Sequence, residues 1–173
     1  NNEFVANRGP GGVYDIFALN MFANPTINLV DFIIANNTIV DMTAGNYIIS
    51  LNAFGSCTNC HFKNNLIKNS SGMDLIDLHA SVSSSNNTSV SSAVQFASYT
   101  QYATSTNDLR LAAGDTVAKD QGADLSALIP ALDKNGVTRP IGAAWDIGAY
   151  EYGTPPVVDA ITNFRAANFT VST

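Results

Sequence analysis

The stretch Cys57-Thr58-Asn59-Cys60-His61 holds both cysteines of this 173-residue chain and one of its two histidines. C-x-x-C-H is the attachment pattern of a c-type haem, in which two thiols take the vinyl groups and the histidine becomes an axial iron ligand. The same spacing suits a local disulfide, or two unlinked cysteines in a core or loop. Were residues 57 to 60 fully extended, the two Cα atoms would stand about 10 Å apart, beyond the roughly 7 Å limit of a disulfide. Disulfide and haem attachment therefore both need a turn within Gly55-Ser56-Cys57-Thr58-Asn59, whose composition permits one. His79 is the one remaining histidine that a haem would have as its second axial ligand.

A second candidate site lies at Asp74, Asp77 and His79, where charge and an imidazole replace the neutral polar residues of similar segments upstream. With Asn20 and Asn52, which share a column with His79, these residues form a candidate carbohydrate-binding set. A lyase reading would gather several carboxylates around calcium, which takes six to eight oxygens, and would add a Lys or Arg as base. Lys63 and Lys68 are the nearby bases, and strand alternation leaves open whether they share a face with the aspartates. A glycosidase reading needs two carboxylates at a defined gap, which Asp15, Asp74 and Asp77 would supply across stacked strands about 5 Å apart. A solvated outer strand accounts for the same residues with no chemistry. No resident cofactor is expected; calcium is the ion a lyase site would take, and haem c the group CTNCH would take.

Composition narrows the classes. Charged residues make up 13% of the chain and the net charge is −6, so a basic face able to neutralise phosphates is missing and nucleic acid is not an expected partner. No run of about 18 apolar residues marks a membrane span. The chain starts at Asn1-Asn2 without a basic-then-apolar leader and reads as a piece of a longer polypeptide. Its lysine-poor, Asn-, Ser- and Thr-rich make-up leans towards an extracellular or cell-surface location.

The elements that must position these residues repeat. Asn-Asn pairs stand at 1–2, 36–37, 64–65 and 86–87, at spacings of 35, 28 and 22 residues. FIIANNTIV (32–40) lies over CHFKNNLIK (60–68) without a gap, setting Phe32 on Cys60, Ile34 on Phe62 and Ile39 on Ile67. GNYIISLNA (45–53) lies over GMDLIDLHA (72–80), and VYDIFALNM (13–21) fits the same frame, with Leu19, Leu51 and Leu78 in one column. Short apolar runs broken by Gly, Asn and Ser predict strands. Unequal spacing suits a solenoid whose turns carry loops of different length, with asparagine ladders along the axis. Beyond residue 93 the periodicity fades, and ALDKNGVTRPIGAAWDIGAYEYG predicts a terminal unit in which Trp145, Tyr150 and Tyr152 cover an open end of the core.

The repeated I-x-N-N-x-I pattern resembles that of right-handed parallel β-helix proteins. The ending is similar to the C-terminal segment of secreted bacterial members: Asp108, Arg110, Leu111, Gly114, Asp120 and Gly122 match its first part, Asp133, Gly136, Arg139 and Pro140 its second, and Asp146 through Glu151 its third. Asp115-Thr116-Val117 departs from the usual Ser-Pro-Ala. The resemblance covers about residues 32 to 153 and implies an all-β, right-handed parallel β-helix over 1–153 with a C-terminal closing segment. Residues 154–173 then form a proline-containing linker and the start of a following domain or tail. In that segment Asp146 and Glu151 are expected to hold turns or to pair with Arg139 or Arg110. Such proteins include lyases, glycosidases, adhesins and surface proteins without catalysis, so fold does not choose among them. The expected function is an extracellular surface module, carbohydrate-binding or structural, with a polysaccharide or cell-surface glycan and further domains of the same polypeptide as partners. The alternatives are the C-terminal part of a polysaccharide lyase or glycoside hydrolase, and a c-type haem protein.

Overall fold

The structure, a computed structural model, describes residues 2–5, 17–18, 24–41, 49–51, 54–68, 76–88, 93–101 and 106–153. It is all-β, with no helix among these residues. After β1 (Glu3–Val5), one pass of the chain forms β2 (Phe17–Ala18), β3 (Asn24–Val30), β4 (Ile33–Ala35) and β5 (Thr38–Val40). The next forms β6 (Ile49–Leu51), β7 (Phe54–Thr58), β8 (His61–Lys63) and β9 (Leu66–Lys68), and a third forms β10 (Ile76–Leu78) and β11 (Ser83–Ser85). Each strand pairs in parallel with its counterpart one pass away, giving small sheets ordered β1-β5-β9, β2-β6-β10, β3-β7 and β4-β8-β11. The registers set Ile34 opposite Phe62, Ile39 opposite Ile67 and Leu51 opposite Leu78, the pairs that superimpose in sequence.

An Asn or Asp ends each of β3, β4, β5, β7, β8 and β11. Asp31, Asn36, Asp41, Asn59, Asn64 and Asn86 all have φ between 51° and 59°, the left-handed region that short polar side chains tolerate. Each turns the chain in a single residue, while backbone bonds such as Asn36 N–H to Lys63 O (3.2 Å) and Leu66 N–H to Asn37 O (2.8 Å) carry the ladder through the corner. The second asparagine of each pair has a different task. Its side chain points into the stack, where Asn37, Asn65 and Asn87 are joined: Asn37 Nδ2 donates to Asn65 Oδ1 (2.9 Å), and Asn65 Nδ2 donates to Asn87 Oδ1 (3.0 Å). Asn2 continues the series by donating to Asn37 Oδ1 (3.2 Å).

The third pass is shorter because it has no strand like β7. His79 and Val82 close a tight turn (Val82 N–H to His79 O, 2.9 Å), and Ser81 Oγ takes the Cys57 N–H (2.8 Å) at the position a longer pass would occupy with a strand. The apolar column Ile34–Phe62 ends on the exposed Ser84. Polar Ser83, Ser84 and Ser85 thus cover the last strand of this sheet, where a flat apolar edge would recruit another chain.

The described residues between 93 and 153 pack beside this stack. They carry an antiparallel pair, β12 (Phe96–Ser98) with β13 (Asp108–Leu111), and isolated antiparallel bridges at Gly122–Trp145 and Leu132–Thr138, so pairing in the molecule is mixed. Alternation turns Ala35 away from Ile34, and Ala35 packs on Leu125 and Trp145. Leu66 likewise packs on Val94, Leu111, Ala118 and Ile147. Asn64 grips the Ala123 backbone in both directions at 2.9 Å, and Asn86 donates to Gln121 O at 2.9 Å. Ala149 N–H reaches Thr38 Oγ1 (2.9 Å), and Gly148 is held so close that a Cβ there would lie 2.8 Å from the same oxygen. These contacts come from every pass, so the aromatic-rich segment lies along a flank of the stack, whereas the sequence places it over an open end. The reason is that β4 and β9 carry apolar side chains on both faces, Ile34 and Ala35 on one strand and Ile67 and Leu66 on the other, and the outward face needs cover as much as the inward one. Each large side chain buried there contributes roughly 1.5–3 kcal/mol.

Asn65 stands in the middle of the ladder, bonded to Asn37, Asn87 and Ile34 O. Asn65→Ala leaves several buried groups unpaired and is expected to cost at least about 3 kcal/mol, measured as a drop in the urea-unfolding midpoint. A loss under about 1 kcal/mol would show that the ladder does not hold the stack.

Candidate functional site

Cys57 is the last residue but one of β7, in register with Leu29, and Asn59 supplies the turn at φ 55°. That one corner draws the two Cα atoms to 5.7 Å, and the sulfurs are bonded to each other. Both cysteines are buried, and His61 Nε2 is engaged with Asn59 Oδ1 at 2.9 Å. These residues do not fit a haem attachment: each sulfur is already bonded, and neither cysteine lies open to a cofactor. They do not form the unlinked pair either. The Cys57–Cys60 bond instead pins the β7–β8 corner, and Asn59 Nδ2 ties that corner to Asp31 Oδ1 (2.6 Å) on the neighbouring pass.

Of the sequence-derived carbohydrate set, Asn20, Asn52 and Asp74 lie outside the described residues. Asp77 sits on β10 opposite Ser50, and His79 follows in the turn, where its Nδ1 meets Ser81 Oγ at 2.7 Å. Among the described residues no group of three or more His, Cys, Asp or Glu is arranged to hold a metal.

The acids of the closing segment are drawn into its own framework. Asp115 Oδ1 accepts the N–H groups of Val117, Ala118 and Lys119 (3.1, 2.7 and 3.1 Å), while its Oδ2 accepts that of Gln95 (2.6 Å). Asp133 Oδ1 caps a turn through Asn135 and Val137 N–H (2.7 and 2.8 Å), and its Oδ2 takes Glu151 N–H (3.1 Å). Asp146 accepts Asp120 N–H (2.7 Å) and Tyr152 N–H. Glu151 pairs with Arg139 (2.7 Å), both side chains at most 1% exposed. Arg139 Nη1 and Nη2 also donate to Asp146 O (2.9 Å) and Gly148 O (2.8 Å), and its guanidinium lies 5.6 Å from the Trp145 ring centroid. Burial pulls the Arg139 guanidinium below its ordinary pKa, offset in part by Glu151. Burial also pushes the Asp146 carboxyl up to about 6, against the two backbone N–H groups that favour its charged form.

A different group of polar side chains faces solvent. Arg110, on β13, is held in a two-point pair with Asp108 (Nε–Oδ1 2.9 Å, Nη2–Oδ2 2.5 Å), which lowers the pKa of the aspartate and raises that of the arginine. Asp108, Arg110, Asn135 and Tyr150 line an open groove of about 300 Å³. On its other side Arg110 borders a second groove of about 170 Å³ with Tyr152 and Glu151. Lys134 stands 5.4 Å from the Tyr150 ring centroid and Lys119 4.8 Å from that of Tyr152. The sequence marks Arg110, Asp108 and Tyr150 only as parts of the closing motif. Nothing in their spacing says that Asn135, far along the chain, stands beside them.

Reducing Cys57–Cys60 reopens a four-residue loop, for which chain entropy predicts a loss of about 2 kcal/mol; chemical unfolding with and without reductant checks this. Asp146 gives a pH dependence of definite sign. Its folded pKa of about 6 exceeds the ordinary 3.8, so the folded state binds more protons within that interval. Its contribution is full below about pH 4 and is lost as pH rises through 6, a decline of about 3 kcal/mol. Unfolding midpoints taken between these pH values should fall accordingly and should flatten in Asp146→Asn. The lowered Asp108 carboxyl acts in the opposite sense and below this window.

No family model, no curated protein and no solved structure matches the chain.

Proposed function

We propose that this chain is a right-handed parallel β-helix module of a secreted or cell-surface protein, and that it works by presenting a rigid sugar-facing surface, not by catalysis. Supporting the helix reading are the four parallel ladders, visited in the same order on successive passes, and the asparagine series along them. Parallel crossovers within a sheet are almost always right-handed, which favours that hand. The buried disulfide favours an oxidising compartment.

The observation that carries the non-catalytic reading is the use made of the acids. A glycosidase or lyase needs carboxylates open to substrate. Asp115, Asp133, Asp146 and Glu151 are all buried and bonded to backbone N–H groups or to Arg139. What remains at the surface near them is polar side chains beside tyrosine rings, the combination that binds sugar hydroxyls and covers pyranose faces.

The purified protein is expected to bind on a glycan array while releasing neither reducing ends nor unsaturated sugars from polysaccharides. Turnover of any polysaccharide would replace this reading with the enzyme alternative, and an array without binding would leave only a structural spacer.

A further inference from the structure

We propose that the two grooves meeting at Arg110 form one binding site for a carboxylate-bearing sugar polymer, a uronate chain; this deepens the sugar-facing reading and rests on it. The argument begins with charge. In a protein of net charge −6, cations are scarce. Among the described residues Lys63 and Lys68 belong to β8 and β9 and Arg139 is buried, and the remaining three, Arg110, Lys119 and Lys134, all stand around these grooves. Arg110 borders both, with its side chain 58% exposed. Tyr150 lies in one groove with Lys134 over its ring, and Tyr152 in the other with Lys119 over its ring. A repeating anion threaded past Arg110 would therefore meet a ring and a cation on each side.

The geometry also suits a carboxylate. Arg110 already holds a planar carboxylate, that of Asp108, through two parallel N–H bonds. A fork so arranged matches a uronate group, whereas a lysine would act only as a point charge. Asp108 thus occupies the place of the ligand's carboxylate and competes with it.

The test is titration of the whole chain with sodium polygalacturonate, a neutral galactan and dextran sulfate. Polygalacturonate is expected to bind best, and to weaken as ionic strength rises from about 0.01 to 0.15 M, which shortens the screening length from about 30 to 8 Å. Arg110→Ala should weaken binding about tenfold, and Lys134→Ala, an exposed change that keeps the fold testable, several-fold. Asp108→Asn should tighten it, which a purely structural Asp108 would not do. Equal binding of dextran sulfate, or affinity unmoved by Arg110→Ala and Lys134→Ala, overturns the proposal. Binding of galactan alone, or of none of the three polymers, overturns it while leaving the sugar-facing reading to the glycan array.

Discussion

The corners at Asn36 and Asn64, and the ladder asparagines beside them, bring side-chain amides into a dry interior, and a buried amide is costly when its donors and acceptor are unmatched. Asn37, Asn64 and Asn65 are matched, whereas the Asn36 amide is buried without a partner, and the two members of each pair divide the work. The first residue takes the left-handed corner, which lets a three-residue strand stop and a new one begin. The second faces inward and bonds to the same residue of the next pass. Register follows from this division, because a slip of one residue would put the corner amide inside and the ladder amide outside. Phe62, Ile39 and Ile67 are then stacked without exposure to solvent.

The flank obeys a related rule with carboxylates in place of amides. Loops without regular pairing leave backbone N–H groups that need acceptors. Asp115, Asp133, Asp146 and Glu151 supply them, several per side chain, and Arg139 offsets the charge of Glu151 under cover. Such a network is uneven in its consequences: complete, it holds several loops at once; lacking Arg139 or Glu151, it would leave a buried charge unmatched. Asp146 shows the remaining tension, since burial raises its pKa despite two favourable N–H bonds.

Strand content and pairing register were legible in the sequence because both depend on local pattern. Ile34 over Phe62 and Ile39 over Ile67 could be read by sliding one segment along another. The docking site of the closing segment was not legible. Trp145 is aromatic wherever it packs, and only the outward face of Ala35 explains why it lies along a flank. Asp115 looked like a departure from a family pattern, yet it caps three N–H groups and ties β12 to the next loop.

By itself the sequence determined an all-β chain with corners at its asparagines, an acidic surface and a turn-compatible C-x-x-C, for these follow from residue type and spacing along the backbone. Tertiary structure decided what the corner at Asn59 does with its flanking cysteines: one left-handed residue brings their Cα atoms to 5.7 Å, and the sulfurs join. It also decided which charges stay buried and which reach solvent. Arg139 and Arg110 belong to the same motif, but one is enclosed by loops folding over it and the other lies at the edge of a groove. That difference depends on which distant segments pack against each side chain, and spacing along one chain does not record it.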